Sequence, residues 1–149
     1  MQDPRIDKLA NVLVHHSCRL KAGQKVLIEA FDLPEPNLVC RLVDEVSRIG
    51  AIPIVNIKHN AVLRSLYRGA TEDSMALAGK FEAAVMSEMD AYIGVRGSAN
   101  SNEFADVPAE PRVHRRGVAA AQHEVDTAVG QVLEGGVVLR DLDRIVGGD

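Results

Sequence analysis

The sequence predicts an α/β domain, a short and mostly parallel sheet held between helices in a three-layer arrangement. Three observations carry that expectation. Short apolar runs alternate with longer stretches of helical periodicity, in the order strand, helix, strand, helices, strand. The runs KVLIEA, IPIVNI and AYIGV are nearly continuous in apolar residues, the pattern of parallel strands covered on both faces. Turn-forming residues, Gly23, the stretch DLPEP and Gly50, then separate the first elements from one another.

The elements follow in order. Asp3 before Pro4 is a helix start, a capping side chain with proline in the first turn. Ile6, Leu9, Ala10, Leu13, Ser17 and Leu20 recur at helical spacing, and Gly23 ends that element. Lys25 to Ala30 is the first strand. Leu38, Val39, Leu42, Val43, Val46 and Ile49 make the stripe of a second helix, with Gly50 placed to close it. Ile52 to Ile57 is the second strand, 60–68 and 71–89 are helical, and AYIGV is the third strand. Right-handed crossovers join such strands into a parallel sheet.

After Glu110 the character changes. The last 39 residues hold six of the twelve glycines, with no lysine and no aromatic residue. Val118, Ala121, Val125, Ala128, Val129 and Val132 keep helical spacing, so this tail is expected to hold one amphipathic helix. VVL near the end is strand-like. The domain organisation read from this is an α/β domain over 1–110 and a divergent tail over 111–149.

Composition narrows the function classes. With 149 residues, 46% hydrophobic and 26% charged, the chain has the balance of one soluble globular domain. A formal net charge of −4 argues against a nucleic-acid footprint. The opening MQDPRIDKLA lacks the apolar core of a signal peptide, and no apolar run reaches bilayer length, so a cytoplasmic protein without a membrane partner is expected. Cys18 and Cys40 fit no metal or redox spacing and are expected to be reduced.

Several stretches invite a chemical reading. His15 and His16 are adjacent on a helix, pointing about 100° apart, which suits a surface pair better than a shared metal. HEVDT places His123 beside Glu124, but a zinc-protease helix needs a second histidine where Thr127 stands. Asp141 and Asp143 in RDLDR each have an arginine neighbour and read as charged surface. His59 follows the second strand, and Arg96, Ser98, Asn100, Ser101 and Asn102 follow the third. Both groups fall at the carboxyl edge of the sheet, where open α/β sheets bind ligands. The loop 97–102 lacks the glycine spacing of a dinucleotide or phosphate loop. No Ser–His–Asp or Cys–His order can be read.

Taken together, DPRIDKLANVLVHHSCRLKAGQKVLIEA, GAIPIV and DAYIGVRGSANSNEFADVPAE resemble the amino-terminal domain of the thermophilic metallo-aminopeptidases of the aminopeptidase T type, across roughly residues 2 to 110. The resemblance implies a two-domain, commonly dimeric enzyme that removes amino-terminal residues from peptides. It implies two divalent metal ions, such as zinc or cobalt, bound by glutamate, histidine and aspartate in a second domain outside this sequence. No catalytic and no metal-ligating position is therefore assigned in this chain, and binding positions stay open. The expected function is the non-catalytic amino-terminal part of such an aminopeptidase, inactive alone and without its own cofactor. The alternative is a stand-alone binding or dimerisation module; a small hydrolase or nucleotide-binding protein ranks last. Beyond ADVPAE the resemblance cannot be followed residue by residue. A shifted reading frame and a divergent terminal helix both account for the tail. Apolar surface left by a missing domain would favour self-association.

Overall fold

A computed structural model describes residues 3–97 and 137–139. Helix α1 (Pro4–Val12) begins as its sequence dictates: the Asp3 side chain accepts the Arg5 backbone N–H, and proline occupies the first turn. The helical period then breaks. Leu13–Ser17 form a π-helical turn, so the stripe does not run on as α-helix to Leu20. The widened turn lets the consecutive residues Leu13 and Val14 both enter the core. Arg19 then takes a left-handed conformation (φ 49°), and Leu20 N–H donates to the Val14 carbonyl at 3.0 Å.

Strand β1 (Lys25–Phe31) is followed by α2 (Asn37–Arg48), β2 (Ile52–Lys58), α3 (Asn60–Arg68), α4 (Glu72–Ser87), β3 (Ala91–Arg96) and the short β4 (Val137–Leu139). Helix α4 starts on a capping box, Thr71 and Ser74 each bonding the other's backbone N–H. The strands form one sheet in the order β2-β1-β3-β4, with every pair parallel. β1 is central, its Leu27 level with Ile54 of β2 and Tyr92 of β3.

Strand alternation divides the sheet into two faces. Val26, Ile28, Ala30, Ala91, Ile93 and Val95 pack against α1, the π turn and α2. Leu27 and Tyr92 point the other way, towards Met86 in the last turn of α4 and Met89 just beyond it. Helix, sheet and helix are the three expected layers of a small α/β domain.

The expectation that all three apolar runs are covered on both faces fails at β2. Ile52 is 48% exposed and Ile57 64%. The reason is position: β2 is an edge strand with a single neighbour. Ile52 N–H donates to Gln24 C=O, and Lys58 C=O accepts from Asp32 N–H, so even-numbered residues of β2 bond towards β1. Pro53, Val55 and Ile57 therefore turn their backbone groups outward. The missing N–H of Pro53 costs no ladder bond and removes a donor from the open edge.

Candidate functional site at the carboxyl edge of the sheet

The order β2-β1-β3-β4 is that of a doubly wound sheet whose ligand crevice opens between the carboxyl ends of β1 and β3. These two ends are drawn tightly together. Gly97 N–H donates to the Phe31 carbonyl at 2.9 Å. A Cβ on Gly97 would lie 2.9 Å from the Asp32 carbonyl oxygen, so only glycine fits this approach without displacement.

Asp32, in the left-handed region at φ 48°, organises the neighbouring end of β2. Its Oδ1 accepts the Asn60 backbone N–H at 2.8 Å, at the first residue of α3, and pairs with His59 Nδ1 at 3.1 Å. A carboxylate at a helix amino terminus is favoured by the orphan N–H groups and the helix dipole. His59 thus stands at the carboxyl edge, as its place in the sequence predicts, with its side chain 68% exposed.

Beside this lies a polar group enclosed by the sheet and α4. Glu29 is a buried charged residue in the middle of β1, 4% exposed. Its Oε1 pairs with Lys58 Nζ at 2.7 Å, and its Oε2 accepts the Tyr92 hydroxyl at 2.7 Å. Lys58 Nζ also donates to Glu82 Oε1 on α4 at 2.9 Å. Burial works to lower the Lys58 pKa, but the carboxylates of Glu29 and Glu82 outweigh it and hold the ammonium above its ordinary value. The Phe31 ring carries two cations, Arg96 at 4.2 Å and Lys58 at 5.5 Å from its centroid.

Of the residues singled out by sequence, Arg96, Gly97 and His59 come to this edge. Ser98, Asn100, Ser101, Asn102, His123, Glu124, Thr127, Asp141 and Asp143 lie outside the described residues, as does the expected tail helix. His15 bonds elsewhere: Nε2 meets Glu45 Oε1 at 2.5 Å, and Arg48 Nη2 donates to the same oxygen at 2.6 Å. Arg48, with His15 in second place, draws the Glu45 carboxyl down to about 2. His16 is exposed. Cys18 and Cys40 are both free; burial pushes the Cys18 thiol up to about 11, far from reactive. Sequence reasoning missed the group formed by Glu29, Lys58, Tyr92 and Asp32. Its signal was present: Glu29 is a lone charge inside an apolar strand, and such a residue needs a partner.

Fold and edge define the class to which the chain belongs, the thermophilic metalloprotease (M29) family, whose family model matches residues 2–132. The match runs past Glu110 to residue 132, which corrects the expectation that the resemblance ends with ADVPAE. Among solved structures the chain is similar to wild-type AmpT from Thermus thermophilus, with 20% identity and a TM-score of 0.66 over 91% of this chain. It spans 35% of the length of that AmpT chain. At such identity the likeness establishes the fold. No curated protein sequence matches.

The family is one of metallopeptidases, which bind metal through His, Asp and Glu side chains. Among them no group of three or more His, Cys, Asp and Glu side chains converges. Asp32 and His59 meet as a pair with no third ligand, and Lys58 occupies the position a cation would take between Glu29 and Glu82. The described residues do not fit a metal centre.

Proposed function

We propose that this chain is the non-catalytic α/β part of an M29 aminopeptidase and removes no amino-terminal residue on its own. In this reading the metal ligands belong to sequence beyond these 149 residues, and the joined ends of β1 and β3 border the site they form. The observation that carries it is the carboxyl edge itself. Arg96, Gly97, Asp32 and His59 build a rim at the switch point, yet supply no nucleophile with its base and no ligand trio. The span of 35% of AmpT supports the same view. A cytoplasmic location belongs with this proposal, supported by the two free thiols of Cys18 and Cys40.

The test is direct. The purified chain, given cobalt or zinc, releases no leucine from a leucyl peptide. Metal-dependent release that a chelator abolishes and a mock purification lacks would refute the proposal.

A second reading, an interaction or dimerisation module, is favoured by one observation. Val62 and Leu66 on α3, and Leu77 and Phe81 on α4, are each more than half exposed. A monomeric mass by light scattering across micromolar concentrations would remove the dimerisation form of this reading.

A further inference from the structure

The strand order dictates which side of the sheet the chain between β3 and β4 must take. β4 lies beside β3 and the two are parallel, Ile93 level with Val137 and Val95 with Leu139. Chain leaving the carboxyl end of β3 must travel back along the sheet to enter β4 at its amino end. A parallel pair needs a crossover of about a dozen residues or more. Residues 98–136 lie between the two strands and are ample for it.

Handedness selects the face. From β1 to β2 the chain steps one way across the sheet, and α2 packs on the face of Val26 and Ile28. From β2 to β3 it steps the other way, and α4 packs on the opposite face, at Leu27 and Tyr92. Opposite steps with opposite faces share one hand, and crossovers between parallel strands are right-handed in about 98% of cases. The step from β3 to β4 continues in the direction of β2 to β3. The same hand places its connection on the face that carries α3 and α4.

Surface chemistry agrees and narrows the place. Among the described residues, α1 and α2 expose one large apolar side chain, Val12. α3 exposes Val62 and Leu66, 66% and 53%, one helical turn apart. The connection brings a matching stripe, Val118, Ala121, Val125, Ala128, Val129 and Val132. Charge then separates α3 from α4. α3 carries Arg64 and Arg68 and no acidic residue, whereas α4 carries Glu72, Asp73 and Glu82 against one lysine, Lys80. Residues 117–136 hold Glu124, Asp126 and Glu134 with no lysine or arginine. Such a segment is attracted by α3 and repelled by α4.

We propose that the apolar stripe of residues 118–132 docks on Val62 and Leu66 of α3 within the same chain, its carboxylates towards Arg64 and Arg68. The stretch after Glu110 is then a layer of the α/β domain, and a shifted reading frame is not needed to account for it. The proposal is independent of the peptidase reading: it needs no metal and no turnover.

The test uses the whole chain. A nitroxide is attached at Thr127→Cys, a position off the apolar stripe, in a chain that also carries Cys40→Ser. Cys18 is buried, its thiol pushed up to about 11, and takes no label. Amide NMR signals are compared before and after the nitroxide is reduced. The expected result is loss of the α3 signals, Leu66 among them, while those of Leu42 and Val46 on α2 remain. In a mixture of nitroxide-bearing chains with isotope-enriched chains that carry none, no signal is lost, because the contact lies within one molecule. Leu66→Asp sets a carboxylate against the acidic segment and restores the α3 signals, and unchanged α2 signals show that the fold stands. Loss on α2, loss on neither helix, or loss in the mixture overturns the proposal. Loss on α3 that Leu66→Asp leaves unchanged overturns it equally.

Discussion

Both faces of the sheet carry helices, yet they end up with opposite surfaces. On one, α2 presses Leu38, Leu42 and Val46 to 2% exposure or less, and Val14 from the π turn joins them. On the other, neither α3 nor α4 has a single buried residue, and Phe81 is 65% exposed. The first face is held by apolar packing. The second is held by Met86 and Met89 on Leu27 and Tyr92, and by the polar chain Tyr92–Glu29–Lys58–Glu82. Helical periodicity announces that a helix has an apolar side; it does not announce that anything covers it.

That contrast can be broken in order of expected effect. Leu42→Ala, in the packed layer, should cost about 3–4 kcal/mol by urea unfolding, while Leu77→Ala on α4, 56% exposed, should cost about 0.5 kcal/mol or less. Comparable losses at the two positions would show that α4 is as firmly packed as α2. Lys58→Met strands the carboxylate of Glu29 in the sheet and should cost about 3 kcal/mol, with a partial recovery when Glu29→Gln is added. If the single variant unfolds like the parent, the polar chain does not secure the second face. Gly97→Ala forces a methyl towards the Asp32 carbonyl and should cost about 1–3 kcal/mol, and exchange of the Gly97 amide bonded to Phe31 is the site to watch in the parent.

The pH response sharpens the comparison further. Glu45 is lowered from 4.5 to about 2 in the folded protein by Arg48 and His15. The unfolded chain therefore binds the proton more readily, and the stabilisation is complete above 4.5 and lost as pH falls from 4.5 towards about 2. Glu45→Gln should flatten that part of the stability profile. An unchanged acid limb would mean that other carboxylates govern it. The smallest effect belongs to Phe81→Ser: stability should change by about 0.5 kcal/mol or less, while binding of a hydrophobic dye falls. Dye binding equal to the parent would place the accessible apolar surface elsewhere.

Much of this was legible one element at a time. Asp3, Thr71 and Gly50 mark boundaries because their chemistry is local: a capping oxygen reaches an N–H two or three residues away, and Gly50 takes φ 77° where a side chain would strain. The break of α1 into a π turn was not legible. The stripe Leu13, Ser17, Leu20 fits a regular helix, and only packing against α2 separates the alternatives. Arg96, Gly97 and His59 were legible as edge residues because a strand end followed by polar residues is a local pattern. Asp32 and the Glu29–Lys58 pair were not, since their partners lie 27 to 63 residues away.

The sequence by itself determined most of the elements, though not the π turn, together with the parallel α/β class and the resemblance that leads to the M29 family, because periodicity, capping and strand composition act over a few residues. Tertiary structure alone decided that β2 would be the edge, that α2 would be buried and α4 exposed, and that Glu29 would meet Lys58 and Tyr92. Those outcomes depend on strand order. Placing β1 between β2 and β3 gives it neighbours on both sides and leaves β2 with one, a choice that no stretch of chain shorter than the whole sheet can encode.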